Sequence, residues 1–369
     1  MILIDPRQTQ QVMDTACLIQ QIPAPTFHED QRAAYALKQF QQQNLTDPHL
    51  DTAGNALACV KGRPGVSPLV ISAHLDTVFP LEYPLPLQRH EDQIIGPGIG
   101  DNALGLAALI HLPRLLQQAG IFPEGDLWLA ATVGEEGLGN LSGIRQLVEQ
   151  FGDRPLAYLS LEGMGLGNII HRGLGVDRYR FTVKTSGGHS WSDFGAPSAI
   201  HELVNLANRL LKLRLTRRPR STLNIGTLQG GTSINTIATD ASMEVDFRSE
   251  SAVALEELVK QALRAANSLE RPGVSVETTR IGWRPAGAIP ASHPLVQLVA
   301  SILRSLDISP HLDIASTEAN LPLSLGLPAL TLGLTIGHHA HTLEETIQLS
   351  PLSKGLTALV HFVARVWKT

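Results

Sequence analysis

Cysteine is nearly absent: Cys17 and Cys59 are the only two in a chain of 369 residues. Two thiols cannot build a disulfide framework or a thiolate zinc site, so any metal must be held by imidazole and carboxylate, and a reducing compartment is implied. Charge is sparse too. Charged residues make up 17% of the chain and the formal net charge is -5, which leaves no basic surplus to neutralise phosphates and excludes an electrostatic nucleic-acid binder. The cluster Arg214, Arg217, Arg218 and Arg220 is local and reads as a solvated helix end. No apolar run approaches the length of a membrane span. The opening stretch, Met1 to Pro6, has neither the basic region nor the apolar core of a secretion signal. The expectation is a cytoplasmic protein with no membrane partner.

Hydrophobic residues make up 43%, ordinary for a compact folded protein. The length exceeds the usual single domain, which predicts two domains or one domain with a large insertion. Helical periodicity covers Thr9 to Gln21 and Glu29 to Gln43, and strand-like runs follow at Ala56 to Val60 and Pro68 to His74. A helix at Ala103 to Gln118, tolerating Pro113, leads into a strand at Leu127 to Val133, a helix at Leu141 to Phe151 and a strand at Leu156 to Leu161. Alternating strands and helices indicate an α/β sheet.

The texture changes near Asp177. Arg178 to Lys184 alternates polar and apolar residues, as in a sheet with one solvated face. The order strand, helix (Ser198 to Leu213), two strands (Thr222 to Leu228, Ala241 to Phe247), helix (Val253 to Asn267), strand (Val274 to Thr279) predicts a complete small α+β domain. After Pro285 the α/β pattern resumes, with helices at Pro294 to Ser305 and Leu352 to Trp367 around a strand at Ala329 to Leu334. The small domain therefore reads as an insertion: 1–176 and 285–369 form one domain and 177–284 the other.

Chemistry gathers where the strands end. His74 and Asp76 emerge together from an apolar strand, because side chains repeat every second residue. Asp101 follows the turn Gly96-Pro97-Gly98-Ile99-Gly100, Glu135 and Glu136 follow the strand ending at Val133, Glu162 follows Leu161, and His341 lies in a late His-rich loop. Taken singly, such residues are also what hydrogen-bonded pairs or solvated loop acids look like. In an α/β sheet, however, side chains beyond the carboxyl ends of the strands converge on one crevice. So many carboxylates in one crevice repel each other unless cations neutralise them, and a pair of divalent ions does so most simply. Imidazole with carboxylate suits zinc, or cobalt or manganese, better than magnesium alone.

The ordered set of His-x-Asp, glycine turn with Asp, Glu-Glu, Glu, inserted domain and late His resembles the M20 family of metallopeptidases and amidohydrolases over essentially the whole chain. The resemblance implies a mixed-sheet zinc-exopeptidase catalytic domain flanked by helices, with an inserted ferredoxin-like lid or dimerisation domain. It makes Asp101 the carboxylate shared by two metal ions, with His74 and Glu162 on one and Glu136 and His341 on the other. Asp76 becomes the partner that orients His74, and Glu135 the general base that takes a proton from the bridging water and returns it to the leaving amine. His338 and His339 flank the ligand position and read as crevice-lining or surface imidazoles.

In the inserted domain, Thr185 to Ser190 resembles the family's Gly-x-x-His motif, which makes His189 a donor to the developing oxyanion across a homodimer. Asn235 is implied as a polar contact to substrate. Arg248, and at the domain junction Arg284, are candidates for gripping a substrate carboxylate. Gly333 and Gly337 read as sites of close substrate approach. Two departures bear on specificity: Ala103 stands where many relatives carry Lys, and Glu318 where Asp is common. The expected function is hydrolysis of an amide in a small peptide, with N-acyl amino acids as the alternative substrate and a non-catalytic binding protein as the rival class.

Overall fold

The computed structural model describes residues 4–368, and the chain divides into two compact units. One is assembled from the chain up to Gly173 and from Ala288 onward; the other is Leu174–Gly287. No helix among the described residues is long and apolar enough to cross a membrane.

The first unit is built on a mixed sheet. Its four central strands run in the order Leu127–Thr132, Leu69–His74, Ala157–Met164 and Ala329–Thr335, all parallel. Leu69–His74 is buried along its whole length, as a strand with both faces covered must be. Ala56–Val60 and Thr46–Leu50 extend the sheet antiparallel on one side. Asn168–Gly173 extends it on the other and pairs in parallel with His311–Ala315. Periodicity misses these last two strands and Thr46–Leu50: His311–Ala315 is largely exposed, and Thr46–Leu50 carries Pro48 and a left-handed Asp47.

Parallel pairing sends the carboxyl ends of the four central strands to the same edge. Loops carrying Asp76, Glu135 and the late histidines therefore leave from one end of the sheet, with Glu162 inside its strand, opposite Gly333. Glu162 thus lies within a strand that continues to Met164, not beyond its end. Helices pack the sheet. The most apolar, Leu104–Gln118, is buried on nearly every side and accommodates Pro113. The first helix starts at Pro6 and not at Thr9, because Asp5 caps it: its carboxylate accepts the N–H of Arg7 and Gln8, while the Gln8 side chain accepts the N–H of Asp5.

The second unit runs strand (Gly175–Thr185), helix (Ala199–Leu211), strands (Ser221–Gly230, Asp240–Ser249), helix (Ala252–Asn267), strand (Val274–Arg284). With these strands numbered one to four, the sheet order is two, three, one, four, and every pair is antiparallel. Phe181, Val183, Met243, Val245 and Phe247 point to the helices and form a separate core with Leu203, Leu206, Leu255 and Leu258. The opposite face carries the ion pairs Arg178–Asp246 and Arg180–Glu244, which explains the alternating texture of the sequence.

Candidate active site

His74 ends its strand and is almost fully buried. Its Nδ1 faces the main-chain oxygen of Asp76 at 3.0 Å and the Asp76 carboxylate at 3.5 Å, so Nε2 is turned toward the acids. The fully buried Asp76 carboxylate serves mainly the neighbouring loop: Oδ1 accepts the N–H of Glu135 at 3.0 Å and Oδ2 that of Glu136 at 2.8 Å. Asp76 thus does more than orient an imidazole, because it also fixes the backbone of the two glutamates.

Asp101 sits in a tight turn, Ile99–Ala103, at the foot of the apolar helix. Two residues that sequence reasoning missed hold this turn. Asn102, fully buried, donates Nδ2 to the Leu161 carbonyl at 2.8 Å and accepts the Gly163 N–H at 3.0 Å, tying the turn to the Glu162 strand. Glu345 accepts the main-chain N–H of Gly98, Gly100 and Asp101 at 3.1, 2.7 and 2.8 Å. The only sequence signal for Glu345 was its place four residues after His341.

Six of the seven acids and imidazoles named in the sequence, all but Asp76, fall into groups with metal-ligand spacing. His74 Nε2 lies 3.0 Å from Asp101 Oδ1 and 3.6 Å from Glu162 Oε2. His341 Nε2 lies 3.1 Å from Asp101 Oδ2 and 3.0 Å from Glu136 Oε1. Asp101 therefore turns one oxygen to each imidazole. Two ligands bound at about 2.1 Å with tetrahedral angles lie about 3.4 Å apart, close to every one of these separations. His74, Asp101 and Glu162 form one group with metal-ligand spacing; Asp101, Glu136 and His341 form a second; and Glu135 joins His74 and Glu136 in a third. The donor set fits two divalent ions sharing Asp101.

The electrostatics of these side chains by themselves are those of acids packed together. Hydrogen bonds to Asp101 and Glu136 push the His341 imidazolium up to about 10. Burial opposes charge on His74, yet its bonds to Asp101, Asp76 and Glu162 hold it well above the usual imidazole range. Burial also works against Asp101, but the two imidazoles hold its carboxyl well below the usual range. Burial pushes Glu162 up to about 7. Glu318 is buried beneath the site, accepting the Ser72 hydroxyl at 2.7 Å, and burial raises its carboxyl.

The remaining candidates lie elsewhere. His338 and His339 are both exposed, in the loop that carries His341. At Gly333 and Gly337 a side chain would collide with the chain: a Cβ at Gly333 would lie 2.0 Å from the Met164 carbonyl, and one at Gly337 2.4 Å from the Met164 side chain. Chain packing by itself therefore requires glycine at both positions.

In the second unit, His189 pairs with Thr236 on a two-stranded ribbon, and Asn235 immediately precedes that partner strand, its carbonyl accepting the Ser190 N–H at 3.0 Å. His189 Nδ1 accepts the N–H of Trp191 at 3.2 Å, so a neutral ring carries its proton on Nε2 and presents a donor there. Arg248 donates Nε to Asp246 at 2.7 Å within the charged sheet face. Arg284 is buried near the end of its strand, 6% exposed, not the surface arginine that a junction position suggests.

Comparison with known proteins bears on the whole arrangement. The sequence profile of peptidase family M20/M25/M40 matches residues 70–365. A putative succinyl-diaminopimelate desuccinylase, DapE, of Mycobacterium tuberculosis is 25% identical over 320 residues, 84% of this chain and 86% of that protein. Among solved structures, a tripeptidase from Staphylococcus aureus superposes with a TM-score of 0.82 at 20% identity, covering 98% of this chain and 99% of that one. The aminopeptidase PepT of Bacillus cereus does so with 0.78 at 21% identity, covering 97% and 98%. The mixed α/β fold with its mixed sheet is the fold of these structures.

Proposed function

The chain belongs to peptidase family M20/M25/M40 and is an enzyme of the peptidase and amidohydrolase class, and from that premise we propose that it hydrolyses an amide bond in small peptides as a two-metal exopeptidase. The observation that carries the reading is Asp101, with Oδ1 3.0 Å from His74 and Oδ2 3.1 Å from His341.

In this reading His74, Asp101 and Glu162 hold one divalent ion, and Asp101, Glu136 and His341 the other. Zinc suits the donors best, with cobalt or manganese as substitutes. Bound there, the ions supply Lewis acidity toward a water molecule and a scissile carbonyl. Glu135, on the turn held by Asp76, takes the proton from the attacking water and delivers it to the leaving amine. Asp76 keeps His74 with Nε2 turned to the acids and fixes the turn that aims Glu135.

The segment 177–284 acts as a ferredoxin-like lid or dimerisation domain inserted between 1–176 and 285–369, and the protein works as a homodimer. His189 then donates from Nε2 to the developing oxyanion, a contribution worth about 3 kcal/mol in comparable sites. Asn235 contacts the substrate near its scissile carbonyl, and Arg248 or Arg284 grips a substrate carboxylate. If the protein turns over as a strict monomer and His189→Ala keeps the wild-type rate, this part of the reading fails.

The desuccinylase relative favours a second substrate class, N-acyl amino acids. A panel of di- and tripeptides with free and blocked amino termini, assayed with added zinc, cobalt or manganese, separates the two. Release of amino acids from free peptides supports the exopeptidase. Cleavage confined to acylated substrates replaces it with the deacylase, and cleavage of nothing leaves a non-catalytic binding protein.

A further inference from the structure

The connector between the first two helices, residues 22–29, is remote in sequence from every candidate ligand, yet it touches both loops on which the catalytic glutamate and His74 depend. Ala24 O accepts the Thr77 N–H at 2.8 Å, and Pro25 bridges to Thr77. Glu29 accepts the Gly134 N–H at 3.0 Å. Just beyond, the buried guanidinium of Arg32 donates to the Ile22 and Leu75 carbonyls, each at 2.8 Å. At the centre, the Thr26 hydroxyl lies 2.8 Å from Asp76 Oδ2 and 3.4 Å from the Glu136 carbonyl. A hydroxyl has one proton, and the shorter, charge-assisted contact takes it.

We propose that Thr26 is a positioning residue: by donating to Asp76 it locks the carboxylate that holds the backbone of Glu135 and Glu136. Asp76 Oδ2 accepts from Glu136 N–H and from Thr26, while Oδ1 accepts from Glu135 N–H. Of these donors, only Thr26 comes from outside the Glu135 loop. It therefore references that loop to a third point of the fold. Without it, a buried carboxylate oxygen loses a donor and the carboxylate can rotate, and every rotation moves the two N–H groups it holds. The chain immediately after Thr26 is fixed as well: His28 donates its N–H to the Pro25 carbonyl at 2.8 Å, and Phe27 adopts a left-handed φ of 75°.

The catalytic part of this inference rests on the two-metal hydrolase reading; the positioning part does not. The test compares Thr26→Val, which keeps the shape and removes the hydroxyl, with Thr26→Ser, which restores it. Zinc affinity is read by chelator competition, kcat and KM on the best peptide substrate, and the denaturation midpoint in urea. The expected result for Thr26→Val is about tenfold weaker zinc binding and about tenfold lower kcat, with KM and the urea midpoint close to wild type and Thr26→Ser restoring both losses. Unchanged affinity in Thr26→Val overturns the proposal. So do losses that track the urea midpoint and persist in Thr26→Ser. A wild type that hydrolyses nothing sinks the hydrolase reading alone, because the zinc titration still decides the role of Thr26.

Discussion

The buried Glu345 carboxylate accepts the main-chain N–H of Asp101 at 2.8 Å, so the loop that delivers His341 also anchors the turn that delivers Asp101. Two of the three residues on the second proposed metal, Asp101 and His341, are thus registered to each other through Glu345. Burial, with the Asp101 charge adding to it, pushes the Glu345 carboxyl up to about 7. Glu345→Ala leaves the N–H groups of Gly98, Gly100 and Asp101 without this acceptor. A destabilisation of about 1–3 kcal/mol is expected, together with metal affinity weakened about tenfold or more. Urea denaturation and a zinc competition titration measure the two effects. Wild-type values for both contradict the anchoring role.

Glu135 is assigned to proton transfer, and Asp76 fixes its backbone. Glu135→Gln keeps the size of the side chain and removes the base. The rate is expected to fall by about 10²–10⁴-fold with two metal ions still bound. Retention of the wild-type rate assigns the proton to another group; loss of metal together with activity makes Glu135 a ligand.

Metal uptake has a predictable proton count. In the metal-free protein His341 titrates at about 10 because Asp101 and Glu136 hydrogen-bond to it, so at pH 7 it is protonated, and a metal must displace that proton. Calorimetry in buffers of different ionisation enthalpy should show proton release on zinc binding, with affinity rising with pH. The stability of the metal-free protein moves the other way. The folded state holds this proton more tightly than an ordinary imidazole at 6.5. That contribution is complete below pH 6.5 and is lost as pH rises toward 10. His341→Ala should weaken both dependences, leaving the part that His74 contributes.

His111 gives the opposite sign. Burial, aided by Arg114, lowers its imidazole to about 4, and its Nε2 lies 2.8 Å from the Thr15 hydroxyl. Below pH 6.5 the unfolded chain takes up this proton first, so stability falls between pH 6.5 and 4, by about 3 kcal/mol at most. The difference in urea midpoint between pH 7 and pH 4.5 should shrink in His111→Gln. An unchanged difference shows that other groups set the acid limit.

Much of the fold could be read directly from residue patterns. The buried run Leu69 to His74 and the alternating Arg178 to Lys184 each state their environment, because side-chain period reports which faces are covered. Of the strands missed, Thr46–Leu50 and His311–Ala315 are mostly exposed, one of them containing proline, so pairing and not patterning makes them strands. At the site, residues next to strand ends were visible. Thr26, Arg32, Asn102 and Glu345 were not, because their effect depends on contacts with residues distant in sequence, such as Leu161 for Asn102 and Asp76 for Thr26. The packing demand for glycine at positions 333 and 337 is likewise invisible until Met164 is placed against Gly333 and Gly337.

The central claim is that this chain hydrolyses amides with two ions sharing Asp101. Peptide hydrolysis by chelator-stripped protein, followed against equivalents of zinc, cobalt or manganese, tests it most directly. The account predicts no turnover without metal and a rate that saturates at two equivalents per chain. Turnover that is independent of added metal, saturation at one equivalent, or no turnover at any loading contradicts it.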